Sequence, residues 1–212
     1  MKTIFQLFFG FTILLLFSKS ALGQDIIELT NPSFEGFPQQ STLPVGWIDC
    51  GFEGESPPDI QPGGFFVIRK AYNGDTYLGM VSRDNFTFES VTQPLLVNIK
   101  AFECYRFSVY LCQSKSFKSP NRKDNSLSNF DTPISFEVWL GNEYCERDFL
   151  IGTTKAIDHQ DWKEYEFEFQ TDQEYSFITL QAGSIRKFED TVNGNILIDN
   201  LSPIYLIDCF ED

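Results

Sequence analysis

Residues 193–204 read NGNILIDNLSPI, and the fold is decided there. On an extended chain Ile196, Ile198 and Asn200 share one side, while Leu197, Asp199 and Leu201 share the other. Aliphatic residues on both sides describe a buried strand, and it carries one carboxylate, Asp199. An ionised carboxylate among such neighbours costs on the order of several kcal/mol unless it is paired, hydrogen-bonded or bound to a metal. Its expected partner lies at the other end of the chain, in NPSFEG, residues 31–36. If the two ends meet, they close one β-sandwich.

Working outward, the same period of two recurs. In 101–112 (AFECYRFSVYLC), Tyr105, Phe107, Val109 and Leu111 fall on one face; Cys104, Arg106, Ser108, Tyr110 and Cys112 fall on the other. In 134–140 (ISFEVWL), Ile134, Phe136, Val138 and Leu140 point inward, and Ser135, Glu137 and Trp139 outward. In 162–169 (WKEYEFEF), Tyr165, Phe167 and Phe169 oppose Glu164, Glu166 and Glu168. Further strands are expected at 25–29, 65–69, 77–81, 91–95 and 175–182, with a turn at 72–75. Residues 49–64 read as a long irregular loop, and 113–132 as a polar, mobile insertion. No stretch of the mature chain carries a helical stripe. Short alternating strands separated by Gly/Pro turns predict an all-β, antiparallel sandwich in one domain, residues 24–212.

Residues 1–23 have the form of a cleaved signal peptide: Lys2, an apolar run over 4–17, and small residues at Ala21 and Gly23. The run is short for a membrane span and no second one follows, so the chain is expected to be secreted: periplasmic, extracellular or on the outer cell surface. Net charge is −14, and −16 once Lys2 and Lys19 leave with the leader. Such acidity opposes nucleic acid and anionic membranes; it fits divalent cations, or simply solubility outside the cell.

The cysteines are Cys50, Cys104, Cys112, Cys145 and Cys209, with no CxxC pair, so zinc is not expected. Two bridges with one free thiol, or one bridge with three thiols, both fit. Spacing does not determine connectivity; a Cys112–Cys145 bridge, pinning the insertion between them, is the pairing expected here. His159 stands in a polar turn, and GxSxG, HExxH and P-loop motifs are absent. The acids at 164, 166 and 168 read as a solvated strand face rather than glycosidase carboxylates. The chain is expected to be non-catalytic.

The order NPSFE, GW, AYNGDTYLGM, QPL, CYRFSVYL, DWxxYxFxF and ILIDNL resembles the jelly-roll sandwich of carbohydrate-binding modules. These belong to the galactose-binding-like superfamily, with families 4, 9 and 22 nearest in motif order. More narrowly, the wording is similar to secreted domains of Bacteroidetes surface proteins linked with gliding motility or outer-membrane assembly. The resemblance implies a structural calcium ion held by Glu35, the turn Asn73-Gly74-Asp75, and Asp199. The alternative is that Glu35 and Asp199 only accept backbone hydrogen bonds. It also implies a sugar face, for which the outward residues Trp139, Tyr110 and Arg106 are the candidates. The alternative is that a loop covers them; Trp47 and Trp162 read as structural. The function expected is a secreted or cell-surface binding module with carbohydrate, or a cell-surface glycan, as ligand class. The second reading is a structural or adhesion protein of the bacterial envelope, with envelope proteins as partners.

Overall fold

Alternating apolar residues sort into two sheets packed face to face in this computed structural model, which describes residues 26–183 and 192–209. The proposed leader lies outside the described residues. In chain order the strands are β1 (Ile26–Ile27), β2 (Ile48–Asp49), β3 (Asp59–Gln61), β4 (Tyr77–Ser82) and β5 (Ser90–Ile99). They continue with β6 (Cys104–Cys112), β7 (Lys118–Pro120), β8 (Leu127–Asn129), β9 (Phe136–Gly141) and β10 (Phe149–Thr153). The last four are β11 (Lys163–Gln170), β12 (Tyr175–Ala182), β13 (Gly194–Asp199) and β14 (Ile204–Ile207). The pairings between these strands are antiparallel.

One sheet runs β10-β9-β12-β5-β2. The other is organised around β6, which pairs with β11 along one edge. Its other edge is shared end to end: β14 takes Cys104 to Arg106 and β13 takes Tyr110 to Cys112. Between them, Ser202 Oγ accepts the Ser108 N–H, and the Ser202 N–H donates to the Ser108 carbonyl. Beyond β13 lie β4 and β3, and beyond β14 lies β1. The stretch 193–204 is therefore a strand, a break at Asn200 (φ 50°), and the approach to a second strand.

The inward residues named from alternation, including Phe107, Val109, Leu111, Phe136, Val138, Leu140, Ile196 and Ile198, form the core between the sheets. Phe34 and Trp47 join it, their rings 5.1 Å apart, and Trp47 Nε1 donates to the Asn31 carbonyl. A second, smaller core lies on the far side of the β6 sheet, under Val67, Phe117 and Phe130, and holds Tyr77, Cys112 and Leu197. It explains two departures from the sequence reading. Residues 113–132 are not a loose insertion: they carry the hairpin β7–β8, which buries Phe117 and Phe130. Residues 65–69 are not a strand, because a 3-10 turn at Gly64–Phe66 directs Phe65 onto Phe117, the rings stacked at 4.9 Å.

The bridges are Cys50–Cys145 and Cys104–Cys209, which corrects the expected Cys112–Cys145 pairing. Cys112 points into the second core, and burial pushes its thiol up to about 12. Cys145 sits instead on the opposite sheet, beside Cys50. Two bridges of this kind belong to an oxidising compartment rather than a reducing cytosol. Among the described residues, no helix is long and apolar enough to cross a membrane.

Candidate functional site

The two ends of the chain meet at Asp199. β1 pairs with β14, and the Leu201 N–H donates to the Pro32 carbonyl. Asp199 is buried on the face away from the main core, where Oδ2 accepts the N–H groups of Tyr72 (2.7 Å) and Asn73 (3.0 Å). Glu35 takes the next part of the turn, accepting the Asp75 N–H at 3.1 Å. Gly74 is required here: at φ 66°, a Cβ would stand 1.9 Å from Glu35 Oε1. The four residues Glu35, Asn73, Asp75 and Asp199 are thus brought together. The turn engages the two carboxylates through its N–H groups, as the hydrogen-bonding alternative requires. One atom is left over: Asp199 Oδ1 is buried with no hydrogen-bond partner. Burial, with Glu35 adding to it, pushes the Asp199 carboxyl up to about 6.

Trp139, Tyr110 and Arg106 do not converge. Tyr110 and Arg106 lie on β6, in the sheet that also carries Asp199. Tyr110 stacks on Tyr72 with ring centroids 3.6 Å apart, and Arg106 faces Glu166 and Glu168 of β11 at 3.8 Å each. Both are occupied in joining neighbouring elements. Trp139 lies on β9 of the other sheet. Alternation identifies which residues point outward, but not which of two sheets a strand joins, so the three could not be separated from sequence.

The outward side of the β9–β12–β5 sheet has its own organisation. The register places Trp139 between Leu150 of β10 and Thr179 of β12, with Thr92 of β5 and Ile48 of β2 continuing the row. The adjacent row is polar: Glu137, Gln181 and Ser90. The Trp139 indole N–H donates to Glu137 Oε2 (3.1 Å), which also accepts from Gln181 Nε2 (2.8 Å). Arg147, from the loop between β9 and β10, donates to Gln181 Oε1 and to Ser90 Oγ (2.7 Å). Its guanidinium sits 5.7 Å over the Phe88 ring, and Phe52 meets Phe88 edge-on at 4.9 Å. Burial pulls the Arg147 guanidinium down from its ordinary value, and Glu137 opposes this.

The Cys50–Cys145 bridge holds this arrangement in place. Cys50 follows β2 and Cys145 belongs to the same loop as Arg147, so the bridge straps that loop across β5 and β12. Thr92 and Thr179 are fully buried in consequence, while Trp139 and Arg147 stay half-buried and Phe52 and Leu150 are exposed. Covering by a loop, the alternative weighed from sequence, therefore holds for the middle of the face and not for its Trp139 end. Glu137, Arg147, Gln181, Phe52 and Phe88 were not singled out from sequence. The Trp-Leu-Gly-Asn run of 139–142, leading into Cys145 and Arg147, was the available signal. His159, expected at the surface, bridges the Asp161 carbonyl and the Tyr165 hydroxyl at 2.8 Å each. Trp162 is held in place by donating to the Lys70 carbonyl at 2.9 Å. Among the described residues, no group of three or more His, Cys, Asp or Glu side chains is placed to hold a metal ion.

No family model and no curated protein matches the chain. Several solved structures do. The tandem CBM22-1–CBM22-2 domain of Xyn10C from Paenibacillus barcinonensis aligns at TM-score 0.50 and 17% identity, over 92% of this chain and 49% of that one. The chain thus spans about half the length of that tandem. The arabinose-bound α-L-arabinofuranosidase MgGH51 aligns at TM-score 0.50 and 12% identity, over 87% of this chain and 27% of that one. The K2 cleaved adhesin domain of Lys-gingipain aligns at TM-score 0.50 and 9% identity, over 85% and 98%. At such identities the likeness is one of fold: the chain is an all-β, antiparallel sandwich of the kind found in carbohydrate-binding modules.

Proposed function

We propose that the chain is a secreted, non-catalytic carbohydrate-binding module whose ligand lies against Trp139. The observation that carries this reading is the tied row of Trp139, Glu137, Gln181 and Arg147 on an outward sheet face. Sugars bind by laying C–H faces on aromatic rings while fixed polar side chains take the hydroxyls, and this row supplies both. The polar groups are already held by one another, so little side-chain freedom is lost on binding. The fold likeness to a CBM22 tandem supports the reading without identifying a sugar. The test is a glycan array followed by titration of the strongest ligand with Trp139→Ala. Binding falls at least tenfold with the melting temperature nearly unchanged; a silent array removes the carbohydrate reading and turns attention to an envelope protein partner.

The orphaned Asp199 Oδ1 favours a second element of this function, a structural calcium ion. Two carboxylates, Glu35 and Asp199, meet at the turn, and a hard cation takes carboxylate oxygens such as the free Asp199 Oδ1. Bound calcium would neutralise the two acids and lock the closure of the sandwich; it would take no part in holding the sugar. The acidic chain, −14 overall, is compatible with this.

A further inference from the structure

On the sheet opposite to Trp139, above the second core, an open cleft of about 720 Å³ has among its lining three basic side chains, Arg69, Lys70 and Lys115, and three large apolar ones, Phe66, Ile68 and Trp162. None of its lining residues is acidic, although acids outnumber bases 30 to 16 in the chain. Arg69 is held at the rim by Asp161 at 2.9 Å. Lys70 and Lys115 have no ion pair among the described residues.

The apolar half is built rather than incidental. Phe65 and Phe66 both occupy the left-handed region, φ 51° and 66°, which bulky residues avoid. Such backbone persists only where its surroundings enforce it. Here it sends Phe65 inward onto Phe117 and Phe66 outward, 64% exposed, with Lys118 Nζ 5.4 Å over its ring. Ile68 beside it is 88% exposed. Trp162 is fixed edge-on to Tyr77, and the Tyr77 hydroxyl donates to the Arg69 carbonyl at 2.7 Å. Trp162 is therefore fixed in the cleft, and the two lysines are free to reach a ligand.

We propose that this cleft is a second binding site, for an acidic oligosaccharide whose rings carry carboxylates. Ring C–H faces would pack on Phe66, Ile68 and Trp162, and the carboxylates would meet Lys70 and Lys115. The volume lies within the roughly 300–1,000 Å³ of small-ligand sites. Charge decides between polyanions. An extended one, a membrane surface or a nucleic acid, meets the repulsion of the whole acidic chain. A short oligosaccharide inside the cleft feels mainly the cations within a Debye length, roughly 8–10 Å.

The experiment is calorimetric titration of the full secreted chain with a galacturonate trimer, its methyl ester, and anionic phospholipid vesicles. The expected result is binding of the acid that weakens as sodium chloride rises, with the neutral ester at least tenfold weaker. Lys70→Glu with Lys115→Glu removes it, and Phe66→Ala weakens it several-fold; both leave the melting temperature and any Trp139-dependent glycan binding in place. Trp139→Ala leaves it unchanged, so this site and the Trp139 face fail or stand separately. Equal binding of acid and ester, no binding of either, loss with Trp139→Ala, or lysine-dependent binding of vesicles would each overturn the proposal.

Discussion

Asp199 fastens the turn at 72–75 to the last part of the sandwich. It receives the N–H groups of Tyr72 and Asn73, while its second oxygen has no partner, so a buried acid is half satisfied. Removing it leaves two N–H groups without an acceptor, each costing about 1–3 kcal/mol, partly offset by relief from burying a charge. Asp199→Ala is expected to destabilise the fold by about 2 kcal/mol, or roughly 4–8 °C in melting temperature for a chain of this size. Asp199→Asn keeps an acceptor and costs less. If calcium sits here, adding it raises the melting temperature of the native chain, a chelator reverses the rise, and neither variant responds. An unchanged melting temperature with calcium and with chelator removes the metal.

At the level of elements, the loop carrying Arg147 shapes the Trp139 face, and the Cys50–Cys145 bridge fastens it. The bridge closes a sequence separation of 95 residues. Replacing both cysteines by serine should cost about 3 kcal/mol, at the centre of the usual range for native bridges. It should also weaken Trp139-dependent binding, since Arg147 then loses its fixed place over Phe88 and Ser90. Unaltered affinity in the double serine variant would show that the strap serves stability alone. The β7–β8 hairpin plays a comparable part on the other sheet. Its polar surface hid two buried aromatics, Phe117 and Phe130, which cover Cys112 and so leave that thiol unable to reach Cys145.

For the whole molecule, the acid-rich composition includes carboxyls that folding buries. Burial pushes Asp59 up to about 6, against a hydrogen bond from the Ser41 N–H and the field of Arg83. Burial likewise raises Glu89, opposed by Arg83, which it contacts directly. A carboxyl whose folded pKa exceeds its unfolded one favours folding when protonated. For Asp59 that contribution is complete below about 4 and is lost as pH rises through about 6, an upper figure of roughly 3 kcal/mol. In chelator, the chain should therefore melt higher at pH 5 than at pH 8, and Asp59→Asn should flatten part of the difference. A melting temperature that climbs steadily from pH 5 to pH 8 would contradict this.

What the sequence determined by itself was the class of fold and the closure of its ends. Period-two alternation reports which side of a strand is buried, so it alone places Phe107, Val109, Phe136, Val138, Ile196 and Ile198 in the core. A carboxylate in an aliphatic strand demands a partner, which led from Asp199 to the turn and NPSFEG. Sheet membership, bridge connectivity and loop coverage came only with the tertiary structure. Alternation is blind to which edge a strand pairs along, so Trp139 and Tyr110 looked like neighbours and lie on different sheets. Cysteine spacing is blind to which sheet a loop folds over, so Cys145 met Cys50. The cleft at Phe66 and Trp162 joins residues nearly a hundred positions apart, through a turn whose left-handed backbone no propensity announces.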